Sequence, residues 1–127
     1  MKYLITTIAA LMLVGCGPPK APDISIHGAA LIENIEAVKQ HLAAGTDVNV
    51  KDKYGSVPLV YAASKGQKVI AELLIAKGAD VNAKVSLGAK QGLTALDAAN
   101  ETNHSEISEL LRKHGGKTGE ELKAEGK

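Results

Sequence analysis

Six of nine residues recur unchanged after 33 positions. Ala43-Ala44-Gly45-Thr46-Asp47-Val48-Asn49-Val50-Lys51 returns as Ala76-Lys77-Gly78-Ala79-Asp80-Val81-Asn82-Ala83-Lys84, and Ala29-Ala30 returns at the same spacing as Ala62-Ala63. A third copy is offset by 37. Gly55-Ser56-Val57-Pro58-Leu59 maps onto Gly92-Leu93-Thr94-Ala95-Leu96, Ile70 onto Ile107, Leu73-Leu74 onto Leu110-Leu111 and Gly78 onto Gly115. A fixed period of this length means that each copy is one small structural unit. Such a unit cannot bury its apolar face alone, so neighbours must stack into a continuous core. Composition narrows the kind of unit. The chain has no Trp, no Phe and three Tyr. Its core is therefore built from Ala, Leu, Ile and Val, which suits closely packed helices better than a β-sandwich.

The second copy shows how one unit folds. Pro58 is tolerated in the first turn of a helix. Ala62 and Ala63 let that helix lie close to its neighbour. The run 69–75 carries the apolar face of a second helix, and Gly78 suits the left-handed residue that ends it. Asp80 and Asn82 then favour a tight turn. The series Gly55, Pro58, Leu59, Ala62-Ala63, Gly66, Ile70, Leu73-Leu74, Gly78-Ala79-Asp80-Val81-Asn82 resembles the ankyrin repeat. The resemblance extends over residues 24–116, in units of about 24–54, 55–91 and 92–116. It implies an all-α ankyrin-repeat solenoid, about three helix-turn-helix units joined by β-hairpin-like loops, the fingers. The first unit lacks the Pro-Leu but has His27 at the repeat's His position. The third departs at Ala95, Asp97 and Asn100, which points to a divergent cap. Four extra residues fall within 85–91, in the finger between units two and three. They are either a tolerated lengthening or part of a binding edge.

Ankyrin units bind other proteins through finger tips and the outer side of each first helix. Carried over by resemblance, the partner-binding positions are Lys53, Tyr54, Ser56, Ser64 and Lys65 in unit two. In unit three they are Lys90, Gln91, Leu93, Glu101 and Thr102. Tyr54 is the expected anchor, since a Tyr combines apolar area with a hydrogen-bonding end. Lys51, Lys53, Lys65 and Lys90 make this edge locally basic, fit for an acidic protein patch or anionic headgroups.

The N-terminus reads as an address. Lys2 precedes twelve mostly apolar residues, 3–14, too short a run to span a bilayer as a helix, which takes about 20 residues. It has the form of a secretory signal peptide. Leu13-Val14-Gly15-Cys16 resembles the lipobox of bacterial lipoproteins. That implies a signal peptide at 1–15 and lipid attachment at Cys16, the one cysteine. Localisation would be the bacterial cell envelope, on the outer membrane facing the periplasm if Gram-negative. Residues 16–23, with Pro18, Pro19 and Pro22, form an extended tether. Without Lys2 the mature chain carries 14 basic and 14 acidic side chains. At the other end, 117–127 is a polar tail. Thr118 and Glu121 have capping-box spacing, and a short solvated helix from about Gly119 to Glu125 is expected.

Catalytic motifs do not emerge. The chain lacks a nucleophile elbow, a P-loop and a dinucleotide-binding glycine pattern. His27, His41, His104 and His114 have no metal-ligand spacing. His27 and His104 fit positions where repeat histidines brace loops by hydrogen bonds. The near-zero charge and scarce aromatics argue against nucleic acid. The expectation is a non-enzymatic, monomeric binding protein with no cofactor and no small-molecule substrate. Its partners would be an unidentified protein and, through the lipid anchor, a membrane. Its role is that of a scaffold, of an inhibitor or immunity-type protein masking an envelope enzyme or toxin, or of a structural envelope protein.

Overall fold

The structure, a computed structural model, describes residues 22–127. The expected signal peptide, Cys16 and most of the expected tether lie outside the described residues. Seven helices follow in order: α1 (Ile26–Leu31), α2 (Ile35–Ala43), α3 (Pro58–Ser64), α4 (Lys68–Ala76), α5 (Ala95–Glu101), α6 (Ser105–Lys113) and α7 (Gly119–Ala124). The first six are three antiparallel pairs. First helices stack on first helices, α1 on α3 on α5, and second on second, α2 on α4 on α6. Ala29, Ala30, Ala62, Ala63 and Ala99 are fully buried where the first helices meet, with Leu59, Leu96, Ile70, Leu74, Ile107 and Leu111 beside them. Small residues bring the axes close, and branched ones fill the space between pairs.

Each pair is joined by a turn that needs one left-handed residue. Gly66 supplies it in unit two, at φ 71°. Glu33 and Asn103 stand at the equivalent points with φ 62° and 60°, bearing the strain that glycine avoids.

Asparagines staple successive units. Asn49 Oδ1 accepts from Asp80 N at 2.7 Å while its Nδ2 donates to Gly78 O. Asn82 does the same one unit on, accepting from Lys117 N at 2.7 Å and donating to Gly115 O. Among the described residues no strand forms. The fingers are hairpin-like only through isolated pairings, such as Val85 N–H to Leu93 O at 2.9 Å and Gly92 N–H to Val85 O at 2.8 Å.

The tail departs from the sequence expectation. The short helix forms, as α7, but it is docked rather than solvated. Thr118 and Glu121 make the capping box. Leu122 is 4% exposed. Gly119 N donates to Asp97 Oδ2 at 2.7 Å, and Thr94 Oγ1 donates to Lys117 O at 2.7 Å. Gly119 sits so close to Gly92 that a Cβ there would lie 2.1 Å from the Gly92 carbonyl oxygen. Asp97, a departure from the repeat pattern, earns its place twice. It completes the capping box of α5 with Thr94, which needs no Pro, and it holds α7. The divergence of unit three thus equips it to receive a further helix.

Candidate functional site

Residues at equivalent points of the three units behave differently. His27 in α1, Val60 in α3 and Asp97 in α5 occupy one repeat position. His27 Nε2–H donates to two carbonyls of the next finger, Val50 O at 2.8 Å and Ser56 O at 3.1 Å. Asp97 likewise reaches forward, to Gly119 N. Val60 has no polar group to offer, so no side chain at this position ties α3 to the third finger, the loop between α4 and α5, as His27 ties α1 to the second, the loop between α2 and α3.

The next position sharpens the contrast. Tyr61 fills the space between α1 and the second finger. Its ring stands edge-on to His27, with centroids 5.9 Å apart and planes at 85°. Its hydroxyl donates a hydrogen bond to Asp52 Oδ2. Burial and the facing Asp52 carboxylate push the Tyr61 hydroxyl up to about 12. Burial works against ionisation of Asp52, but the bonds it accepts from Tyr61 and from the backbone N–H groups of Ser56 and Tyr54 outweigh it. They hold its carboxyl below the ordinary value. One unit on, Tyr61 is replaced by Ala98, and Val85, whose N–H donates to Leu93 O as that of Asp52 donates to Ser56 O, stands in place of Asp52.

The result is a cleft of about 380 Å³ between units two and three. Its walls come from finger two, α3, the lengthened third finger and α5, and they are almost wholly apolar, with Val60, Val85, Leu93 and Ala98 inside. The insertion supplies the outer wall through Leu87, Gly88 and Ala89. The Tyr54 carbonyl fixes it by accepting from Ser86 N at 3.1 Å and Leu87 N at 2.9 Å. Lys90 Nζ and Glu101 Oε1 pair at 2.6 Å, joining the third finger to the end of α5. The Ser56 side chain, 4% exposed, lies by the Tyr61 hydroxyl, yet its Oγ meets no partner in bonding geometry among the described residues.

Seven of the ten sequence-predicted binding residues line this cleft: Tyr54, Ser56, Ser64, Lys90, Leu93, Glu101 and Thr102. Lys53, Lys65 and Gln91 are exposed around it and do not line it. Tyr54 is 46% exposed at the rim, with Lys53 Nζ 5.2 Å from its ring centroid. The Ser64 and Thr102 hydroxyls bond back to carbonyls of their own helices, Tyr61 O and Ala98 O. The basic edge is weaker than composition implied, because Lys90 is spent on Glu101. Sequence reasoning missed Val60, Tyr61 and Ala98, and reached Val85 and Leu87 only through the lengthened 85–91 finger. Of these, Tyr61 and Ala98 could have been found from the repeat alignment itself, which sets a large side chain against a small one.

The histidines serve structure. His27 braces a loop as expected. His104, expected to do so too, stands at the start of α6 and makes no side-chain hydrogen bond among the described residues. Its ring packs where a Cβ on Gly66 would be. His41 is buried, its Nε2–H donating to Ile24 O at 2.6 Å and its Nδ1 3.1 Å from Thr46 Oγ1. Among the described residues no three metal-binding side chains gather, and no helix is long and apolar enough to cross a membrane.

Comparison with known proteins settles the family. A family profile of ankyrin repeats, in three copies, matches residues 26–121. The chain belongs to the ankyrin repeat family. An E3 ubiquitin-protein ligase of Arabidopsis thaliana, KEG, is 29% identical over 97 residues, which is 72% of this chain and 6% of that protein. The ARF GTPase-activating protein Git of Drosophila melanogaster is 38% identical over 88 residues, 68% of this chain and 11% of that protein. Human protein phosphatase 1 regulatory subunit 27 is 41% identical over 59 residues, 46% of this chain and 38% of that protein. The chain thus spans only a small part of the curated relatives it matches, and the likeness is one of repeats.

Proposed function

We propose that this ankyrin protein is a non-enzymatic, monomeric binding module that engages a protein partner through its second and third fingers and the exposed side of α3 and α5. The observation that carries this reading is the convergence of seven predicted contact residues on one apolar cleft with Tyr54 at its rim. An apolar centre with polar and charged residues around it is the layout of a protein-binding patch. The repeats alone imply this class of function.

The finer reading places the module on a bacterial envelope membrane through lipidated Cys16, on the outer membrane facing the periplasm if the host is Gram-negative, with 16–23 as tether. Its support is the Leu13-Val14-Gly15-Cys16 sequence. Membrane fractionation of wild type and Cys16→Ser tests it: retention of the variant in the membrane pellet would remove the anchor. Masking of an envelope enzyme or toxin is the second reading. One relative is named as a regulatory subunit of a protein phosphatase, and such a role uses the same surface.

The binding reading is tested by cross-linking in the envelope, with tagged wild type beside a Tyr54→Ala/Lys53→Ala double variant. A single stoichiometric protein, lost in the variant, is the expected result. The absence of any enriched protein would move the function to a structural envelope role, and a partner indifferent to both changes would move the site to another face.

A further inference from the structure

We infer that the cleft between units two and three is a receptor for one aromatic side chain with a polar tip, a Tyr or Trp, presented by the protein partner. This inference rests on the protein-binding reading above and gives the partner its chemistry. The first argument is internal. The joint between units one and two is the same piece of architecture one repeat earlier, and there the space is filled by the chain's own Tyr61. Its ring lies against His27 and its hydroxyl is bonded to Asp52. At the second joint Ala98 replaces that ring, and about 380 Å³ stands open. That volume lies in the range of recognised ligand sites, roughly 300–1,000 Å³, and well above an ordinary packing defect. The fold itself thus shows what shape the space accepts.

The second argument concerns charge. The two ionic groups lining the cleft, Lys90 and Glu101, are paired with each other. The remaining lining groups are neutral, so an uncharged occupant is favoured. The third concerns its polar tip. The Ser56 hydroxyl is sealed beside the Tyr61 hydroxyl with no well-formed bond among the described residues, and a rotation about its Cα–Cβ bond would bring it to an indole N–H or phenol O–H in the cleft. The fourth concerns size. Tyr54 and Leu87 stand at the mouth with 46% and 58% exposure. An occupant that covers them must continue beyond the cleft, as a protein segment does and a free small molecule does not. The four-residue insertion is then the feature that turns a bare groove into a walled receptor.

The chain contains no Trp, so the emission of an added indole reports on the probe alone. We would titrate N-acetyl-tryptophanamide into the full chain in lipid nanodiscs, against empty nanodiscs. The expected result is a saturable blue shift. Binding should weaken at least about tenfold in Ala98→Tyr, which refills the space in the manner of the first joint. Ser56→Ala should weaken it several-fold, and Leu87→Glu, on an exposed loop that leaves the core untouched, should also weaken it. N-acetyl-glutaminamide should fail to compete. An unshifted spectrum up to the solubility limit, or equal affinity in Ala98→Tyr with its helical dichroism intact, would overturn the inference. Partner capture separates the two levels. If the partner is held by Ala98→Tyr as well as by wild type but lost in Tyr54→Ala/Lys53→Ala, the binding surface stands and the aromatic receptor falls. If wild type captures no partner, the binding reading falls with it.

Discussion

The two joints between repeats share one geometry and differ in how they are closed. At the first, His27 donates to two carbonyls of the second finger and Tyr61 fills the remaining space. At the second, Val60 and Ala98 hold the same positions and leave the cleft. The C-terminal junction resembles the first, with Asp97 gripping Gly119 N. A repeat scaffold can therefore be stapled at both ends and left open in the middle by changes at two positions per unit. Near-additive repeat energetics allow this, because each joint is stabilised locally and the open one can be held by its neighbours.

The largest expected effect breaks the closed joint. His27→Ala leaves Val50 O and Ser56 O without their donor and removes the ring beside Tyr61. It should cost about 2–3 kcal/mol. Val60→Ala at the open joint should cost about half as much, since only apolar area is lost. Urea unfolding at matched m-values compares them, and equal losses would erase the distinction between the joints.

Next comes the C-terminal junction. Gly119→Ala sets a methyl against the Gly92 carbonyl. It should undock α7 at a cost of about 2 kcal/mol. Amide exchange at Gly119 and Leu122 should rise while exchange in α3 and α4 stays unchanged. If protection of α7 persisted, the tail would be held by something other than Asp97 and this close approach.

The smallest effect sharpens the chemistry of the closed joint. Folding holds the Tyr61 proton more tightly than the unfolded chain, with the hydroxyl raised from 10.0 to about 12. The stability this adds is complete below pH 10 and lost as pH climbs toward 12. Asp52 behaves in the opposite sense. Its carboxyl is lowered from 3.8, so its contribution is present above that value and lost as pH falls through the lower folded value. Tyr61→Phe should cost about 1–2 kcal/mol near neutral pH and flatten both limbs of the melting-temperature profile. Unchanged limbs would show that the pair does not govern the pH dependence.

Much of this was legible in the chain. The copies at 29–51, 62–84 and 92–116 specify helix pairs because their Ala, Leu and Gly positions are local requirements of packing and turn geometry. The same register placed Tyr54, Ser56, Leu93 and Thr102 on one side, where the cleft now lies. Two features were misjudged for a common reason. Leu122 looked too isolated to be buried, and Asp97 looked like decay of the repeat. Asp97 acquires its role only by meeting Gly119 N in space, and Leu122 is buried only once that helix docks.

The repeat pattern was enough to mark the family and the stacking of helix pairs, since repetition encodes nearest-neighbour packing within and between adjacent units. Which joint is closed and which is open was settled in three dimensions. That outcome depends on whether a ring from one repeat reaches a histidine of another, and on where a four-residue insertion folds. Both are questions of distance across the stack, to which a linear pattern has no access.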